Sequence, residues 1–191
     1  MVQVVQQNRD ADLTADHIEP AADHLGSHFD CIYKGQNLGR LTIHVPGSHN
    51  IFDCLCAIGA ALWSGIPFEK IRSGLEKYRS PKKRFEYKGM FQGVKVMDDY
   101  AHHPSEIRAT LKAAREVAQR DLYVVFQPHT YSRTKAFFPD FVKSLSLADH
   151  VVLADIYSAS REQDPGDIHS RDLAKALQEQ GTDAYYFGSF A

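Results

Sequence analysis

The sequence predicts an α/β protein whose later part holds a parallel sheet covered by helices, and three observations lead to this fold class. Beyond residue 81, short β-branched and aromatic runs alternate with longer segments whose apolar residues recur every three or four positions. Before residue 80, two strand patterns are followed by two helical patterns. Apolar residues make up 43% and charged residues 24% of the 191-residue chain, which is ordinary for a globular protein.

The first 80 residues predict a hairpin followed by two helices. Gly35 to Gly39 has the turn chemistry that joins antiparallel strands. The apolar run from Leu55 to Trp63 is too short to cross a membrane and is expected to form a buried helix. Residues 1–30 carry only weak patterns, such as an edge strand at 2–5. The predicted elements are strands at 29–34 and 40–45, a helix at 49–64 and a second helix that begins at Pro67.

Residues 81–191 form the second predicted domain, because Pro81 and the basic run 82–84 interrupt the helical pattern. Pro104 and Glu106 suit the first turn of one of its helices, and Ser170 suits the N-cap of another. The predicted strands are 85–91, 94–97, 122–126, 150–154 and 184–187, and the predicted helices are 104–118, 134–147 and 170–180. This alternation implies a parallel sheet covered by helices.

Charge and cysteine usage exclude several classes of function. The 22 basic and 24 acidic residues give a net charge of -2, which offers no general attraction for nucleic acid or an anionic membrane. Three cysteines without a secretory leader favour a reducing cytoplasm over a disulfide scaffold. Cys54 and Cys56 lie in an apolar helix without a second cysteine pair, so buried small side chains are favoured over a zinc site.

Polar residues follow three of the predicted strands, at 98–104, 127–133 and 155–158. Because ligands bind at the carboxyl ends of strands in an open parallel sheet, these segments are expected to line one rim that suits a polar, anionic substrate with a bound cation. An Asp pair before a helix is equally compatible with a cap or turn. Adjacent histidines point in different directions, which disfavours a metal site at His102 and His103. Arg133 near a helix start suits an anionic ligand. No phosphate-binding glycine loop occurs in the chain.

Five motifs in order resemble the Mur ligase family over residues 27–190. They are Val45 to Asn50, Pro81 to Glu86, Asp98 to Glu106, Phe126 to Thr134 and Asp155 to Ala159. The phrase Asp-Asp-Tyr-Ala-His-His-Pro, together with Phe-Gln-Pro-His, is most similar to the members that add L-alanine. The resemblance implies a partial central ATP-binding α/β domain at 1–80. It also implies a Rossmann-like, amino-acid-binding carboxyl-terminal domain with a mostly parallel sheet at 81–191, truncated at its end.

The resemblance implies ATP-dependent ligation of L-alanine to UDP-N-acetylmuramate through an acyl phosphate, a step of peptidoglycan precursor synthesis. ATP and Mg²⁺ are the implied cofactors of the complete enzyme. The phosphate loop, the metal ligands and the UDP-binding domain of the family are absent from this chain. The chain is therefore expected to be a fragment of a cytoplasmic enzyme that is inactive alone and partners the missing amino-terminal domains of the same polypeptide. No nucleic-acid or membrane partner is expected.

The resemblance also implies roles for particular residues. The residues expected to bind the nucleotide are His49, Asn50, Asp53, Arg84 and Asp99. Those expected to bind the other substrates are Tyr100, His102, His129, Arg133 and Tyr157. The expected catalytic residues are Asp99, His102, His129 and Arg133. No metal ligand is expected among them. The chain has Asp53 where the family usually has Asn, and Thr130 where it usually has Arg. These departures affect one adenine contact and one substrate contact.

Two alternatives remain open at the level of sequence. The first is a recycling ligase of the same family that attaches a ready-made peptide to UDP-N-acetylmuramate. The Phe-Gln-Pro-His segment argues against it. The second is a stand-alone, non-catalytic α/β module that binds a nucleotide or peptide at the same polar rim, which the missing phosphate loop favours.

Overall fold

A computed structural model describes residues 11–22, 25–118 and 120–188, so the strand predicted at 2–5 lies outside the described residues. The chain divides into two compact units, residues 1–99 and 100–191. The sequence-based division at residue 81 stays a prediction. Among the described residues, no helix is long and apolar enough to span a bilayer.

The first unit contains a three-stranded antiparallel sheet, two helices and a separate hairpin. Its elements are β1 (Leu13–Pro20), β2 (Ser27–Tyr33), β3 (Gln36–Ile43), α1 (Ser48–Trp63), α2 (Phe68–Lys77), β4 (Glu86–Phe91) and β5 (Val94–Asp98). The sheet order is β1-β2-β3. Alternate strand residues such as Leu13, Phe29 and Leu41 are fully buried, and they form one core with Leu55 and Ile58 of α1.

The first hairpin turns earlier than predicted. Tyr33 pairs with Gln36, so the turn consists of Lys34 and Gly35 instead of residues 35–39. Both turn residues have positive φ, 48° and 78°, which is the geometry of the two-residue turns that match strand twist. Cys31 pairs with Gly39 and Ile32 pairs with Asn37, so Leu38 is the extra residue of a bulge in β3.

The buried helix predicted at 55–63 is present as part of α1, and it is buried on one face only. Ile51, Leu55 and Ile58 face the core, whereas Trp63 is 81% exposed. Cys54 is buried, which raises the pKa of its thiol to about 11, but Cys56 is exposed, contrary to prediction. The helix is apolar on two faces, and the described part of this unit covers one of them.

Strands β4 and β5 form an antiparallel hairpin, so the prediction that they continue a parallel sheet is wrong. Phe91 pairs with Val94, which leaves only Gln92 and Gly93 between the strands. Parallel neighbours need a crossover of a dozen or more residues, which a two-residue connection excludes.

The second unit has the predicted α/β architecture. Its elements are α3 (Pro104–Val117), β6 (Tyr123–Phe126), α4 (Tyr131–Ala136), α5 (Phe138–Leu145), β7 (His150–Ala154), α6 (Ser170–Glu179) and β8 (Asp183–Gly188). The strands pair in parallel in the order β6-β7-β8. The connections from β6 to β7 and from β7 to β8 both move in the same direction across the sheet. Because such crossovers are right-handed, their helices lie on the same face of the sheet. On the other face, Tyr123, Val125 and Phe187 are 62%, 65% and 73% exposed.

Two details of this unit differ from the sequence-based prediction. The helix predicted at 134–147 is two helices that meet at Phe137, because Pro139 lacks an amide hydrogen and is placed in the first turn of a new helix, α5. The N-cap of α6 is His169 instead of Ser170, since the His169 side chain accepts from the Arg171 amide. Ser170 is fully buried, and its hydroxyl has no hydrogen-bond partner among the described residues.

Candidate functional site

The candidate site lies where β6 and β7 end. His129 and Tyr157, which follow these two strands, form a parallel bridge. The Tyr157 amide donates to the Pro128 carbonyl at 2.8 Å, and the rings of His129 and Tyr157 lie 5.4 Å apart. Parallel strands end at the same edge of a sheet, which is why two segments almost thirty residues apart meet here.

The segment before α3 joins the same cluster of rings. The His102 ring lies 5.9 Å from the His129 ring and 5.2 Å from the Tyr100 ring. Asp98 and Asp99 of the same predicted segment belong instead to the first unit, where Asp98 ends the antiparallel strand β5. The structure therefore brings together Tyr100, His102, His129 and Tyr157.

Arg133 completes this cluster from the first turn of α4. Its Nη1 donates to the His129 carbonyl at 2.8 Å and lies 3.4 Å from His129 Nδ1. No carboxylate forms an ion pair with Arg133 within residues 11–22, 25–118 and 120–188. A guanidinium has five donors, so the remaining donors of Arg133 are available to a planar anion.

The surroundings of His129 are electropositive. Burial lowers the pKa of His129 below its usual value, and the positive charge of Arg133 lowers it further, with smaller contributions from His102 and Arg161. The imidazole is therefore neutral at pH 7. Arg161 was not predicted from the sequence as a site residue, although it lies only two residues after the Asp155 to Ala159 motif. The guanidiniums of Arg133 and Arg161 beside a neutral imidazole are suited to an anionic ligand.

The hydrogen bonds also indicate the tautomers of the two histidines. His102 Nδ1 lies 2.9 Å from the Tyr100 carbonyl oxygen, which only accepts, so the proton of the neutral ring is on Nδ1 and Nε2 carries a lone pair. His129 Nδ1 faces a donor, Arg133 Nη1, so its neutral ring carries the proton on Nε2. The cluster thus presents one basic nitrogen and one N–H donor.

Glu106 holds the segment that carries His102. Its carboxylate accepts from the amides of His102 and His103 at 3.0 and 3.1 Å, and the His103 ring accepts from the Ser105 amide. These bonds form a reciprocal cap at the start of α3. Burial raises the pKa of Glu106, but the two amide donors, together with the neighbouring His102 and His103 rings, lower that pKa below its usual value.

We expect Glu106→Ala to lower the free energy of unfolding by about 1 kcal/mol at pH 7, as loss of a helix cap does. The folded-state pKa is lowered, so the stabilisation is present above the ordinary glutamate pKa and is lost as the pH falls through the lowered value. Urea unfolding at pH 7 and pH 3 measures both effects. Glu116→Ala, on the exposed side of the same helix, is the control, and an equal loss in both variants would contradict the prediction.

The predicted nucleotide contacts of α1 share one face of its first two turns. His49 and Asp53 are four residues apart, and Asn50 and Asp53 are three apart. Asn50 Nδ2 donates to the Pro46 carbonyl at 2.6 Å, which orients the amide and leaves its oxygen and second hydrogen for a ligand. His49 and Asp53 are exposed.

The Asp99 side chain binds the backbone directly after Arg84. The Asp99 carboxylate accepts from the Phe85 amide at 2.7 Å, and the Arg84 carbonyl accepts from the Ser80 hydroxyl at 2.6 Å. Among the described residues, no hydrogen bond joins the exposed Arg84 side chain to His49, Asn50 or Asp53. The bond from Phe85 to Asp99 fixes the backbone just before β4, and the nucleotide and catalytic roles of Asp99 stay predictions.

A metal site is not formed by side chains of the described residues, among which no group of three His, Cys, Asp or Glu residues is placed to hold an ion. The sequence also contains no glycine-rich loop of the kind that holds phosphate groups.

Comparisons with known proteins point to one family. The family described as Mur ligase, glutamate ligase domain, matches residues 83–191. The UDP-N-acetylmuramate–L-alanine ligase of Lachnoclostridium phytofermentans is 45% identical over 188 residues, which are 97% of this chain and 39% of the relative. The ligase of the same name from Agathobacter rectalis is 48% identical over 168 residues, which are 88% of this chain and 36% of the relative.

The fold is also similar to that of a solved structure of a ligase with the same activity in its name. The UDP-N-acetylmuramate-alanine ligase of Thermotoga maritima superposes with a TM-score of 0.76 at 28% identity, over 97% of this chain and 39% of that chain. The chain thus spans less than two fifths of the length of these relatives.

Proposed function

Because the chain belongs to the Mur ligase family, we propose that it is part of an ATP-dependent enzyme that joins L-alanine to UDP-N-acetylmuramate in the cytoplasm. The names of the relatives support this substrate pair. The observation that carries the proposal is the Arg133 guanidinium, held against His129 without an acidic partner among the described residues.

Arg133 is proposed to bind the carboxylate of L-alanine. The guanidinium fork forms two parallel hydrogen bonds with a carboxylate, and such charge-assisted bonds are about twice as strong as neutral ones. His129 Nε2–H, Tyr100 and Tyr157 are proposed to contact the alanine or the muramyl group. Thr130 is smaller than the arginine usual at its position, and the nearby charge of Arg161 is proposed to compensate for it.

His102 is proposed to accept the proton that the amine of L-alanine must lose. The amine nitrogen attacks the activated carboxyl carbon of UDP-N-acetylmuramate, a C–N bond forms, and the C–O bond to the phosphoryl group breaks as phosphate leaves. Nε2 of His102 carries the lone pair that takes the amine proton, since Nδ1 is bound to the Tyr100 carbonyl. The positive rim stabilises the negative charge that develops on the phosphoryl oxygens.

The first unit fits the adenine side of ATP better than its phosphates. Asn50 offers the amide that pairs with an adenine edge, His49 and Asp53 lie on the same helix face, and Arg84 would contact a phosphate. ATP supplies the phosphoryl group that activates the muramyl carboxylate, and Mg²⁺ neutralises its charge. The ligands of Mg²⁺ and the phosphate loop are proposed to come from the rest of the polypeptide, as are the remaining contacts of UDP-N-acetylmuramate.

A chimeric enzyme tests the proposal directly. Residues 1–191 replace the matching 39% of the Lachnoclostridium phytofermentans ligase, and ADP release is measured with UDP-N-acetylmuramate and each amine substrate. We expect turnover that depends on L-alanine in the chimera and none in residues 1–191 alone. The unmodified relative is the control.

Three results would contradict the proposal. A folded chimera that turns over a ready-made peptide instead of L-alanine would assign the recycling reaction. Turnover by residues 1–191 alone would show a complete active site. Tight ADP binding by residues 1–191, with no activity in a folded chimera, would assign a non-catalytic nucleotide-binding module.

A further inference from the structure

We propose that Glu162 is a positioning residue that fixes helix α4 and, through it, the Arg133 guanidinium beside His129. Glu162 lies in the loop after β7, thirty residues from the helix that it contacts. The structural part of this inference stands on the geometry alone, and its consequence for alanine binding rests on the proposed function.

The Glu162 carboxylate occupies the first turn of α4. Its Oε2 accepts from the Ser132 amide at 3.0 Å, and its Oε1 accepts from the Ser132 hydroxyl. The Ser132 hydroxyl and amide lower the pKa of Glu162, and smaller contributions come from the Thr130 hydroxyl and the Tyr131 amide. Glu162 is therefore an anion at neutral pH, and Ser132 in the first turn of α4 donates to it from both its amide and its hydroxyl.

Helix α4 depends on this contact because it has little stability of its own. It is six residues long, and its N-cap, Thr130, makes no side-chain capping bond. Isolated helices of this length do not form in water, so tertiary contacts must hold the turn. Arg133 follows Ser132 directly, so the bond that fixes Ser132 also fixes the backbone from which the guanidinium reaches the His129 carbonyl.

Glu162 fixes Arg133 without neutralising it. The carboxylate binds Ser132, and Arg133 forms no ion pair with Glu162 or with another acid in the described part of the chain. A substrate carboxylate can therefore use the charge of Arg133. The same loop supplies a second contact to α4, an ion pair from Asp167 to Lys135 near the other end of the helix. This pair holds the helix but does not contact the turn before Arg133, so it provides a matched control.

A purely electrostatic role and a positioning role of Glu162 predict different changes of the His129 pKa when Glu162 is removed. Loss of the Glu162 charge alone would lower the pKa of His129 or leave it unchanged, because removal of an anion does not favour the cationic form. Loss of the Arg133 contact would raise it, because Arg133 is a main cause of its present lowering. The direction of the shift therefore separates a positioning role from a purely electrostatic one.

The first experiment uses residues 1–191 and does not require ligase activity. The His129 pKa is measured by NMR titration, and amide exchange of Ser132 is followed, in Glu162→Ala, Glu162→Gln and Asp167→Asn. We expect Glu162→Ala to raise the His129 pKa toward the ordinary histidine value, about 6.5, and to speed Ser132 exchange about tenfold. Glu162→Gln keeps an acceptor for Ser132 and should restore most of the protection. Asp167→Asn should change neither value.

The second experiment measures kinetics in the chimeric ligase. We expect Glu162→Ala to raise the KM for L-alanine about tenfold while the KM for ATP and the kcat change less than about twofold, with rescue by Glu162→Gln. An unchanged or lowered His129 pKa in Glu162→Ala, or equal effects in Asp167→Asn, would overturn the positioning role. A raised pKa in residues 1–191 together with an inactive parent chimera would support that role and contradict the proposed function.

Discussion

Arg133→Met in the chimeric ligase should raise the KM for L-alanine at least 100-fold. The variant keeps the length of the side chain and removes a guanidinium that has no acidic partner among the described residues and is held against the His129 carbonyl. Each hydrogen bond to a charged group contributes about 1.5–3 kcal/mol, so loss of a bidentate pair costs at least 100-fold in binding. Steady-state kinetics with L-alanine as the varied substrate measures this change.

Arg133→Lys is the matched control for geometry. Lysine keeps the positive charge but not the planar fork, so its KM should lie between those of the parent and Arg133→Met. The KM for ATP should stay within about twofold in both variants. A fall in kcat at unchanged KM for L-alanine would show that Arg133 acts on the reacting groups and not on the alanine carboxylate.

The largest effect on stability is expected at Phe141 of α5. This side chain is fully buried and contacts the Phe126 ring at a centroid distance of 5.8 Å, in the core that the helices form with the parallel sheet. Removal of a buried phenyl ring leaves a cavity, so Phe141→Ala should lower the free energy of unfolding by about 3–5 kcal/mol. Urea unfolding, followed by a probe in residues 100–191, measures it.

Phe187→Ala controls for the change of residue type within the same unit. Phe187 is 73% exposed on the helix-free face of the sheet. Phe187→Ala should therefore lower the free energy of unfolding by less than about 0.5 kcal/mol. A loss at Phe187 as large as that at Phe141 would show that another segment covers this face in solution.

Much of the second unit was predictable from local patterns. The apolar stripe of α3 and the β-branched runs of β6 and β7 follow periodicities that each segment carries within itself. The rim was predictable too, since the polar residues after β6 and β7 must meet once the strands are parallel. The roles of His102, His129 and Arg133 remain predictions until the variants are measured.

Other features depended on contacts that local patterns do not encode. The hairpin of β4 and β5 was mistaken for part of the parallel sheet, although the two-residue connection at Gln92 and Gly93 already excluded a crossover. The break at Phe137 was missed because the apolar period continues across it, while Pro139 restarts the helix.

Local periodicity and ordered motifs were enough to predict the α/β class of the second unit, the family to which the chain belongs and the residue types at the rim. The three-dimensional structure was needed to find that Glu162 contacts Ser132 across thirty residues, that the charge of Arg161 lowers the pKa of His129, and that Trp63 and Phe187 are exposed. Long-range contacts depend on how helices and strands pack around a core, and side chains far apart in sequence carry no pattern that predicts them.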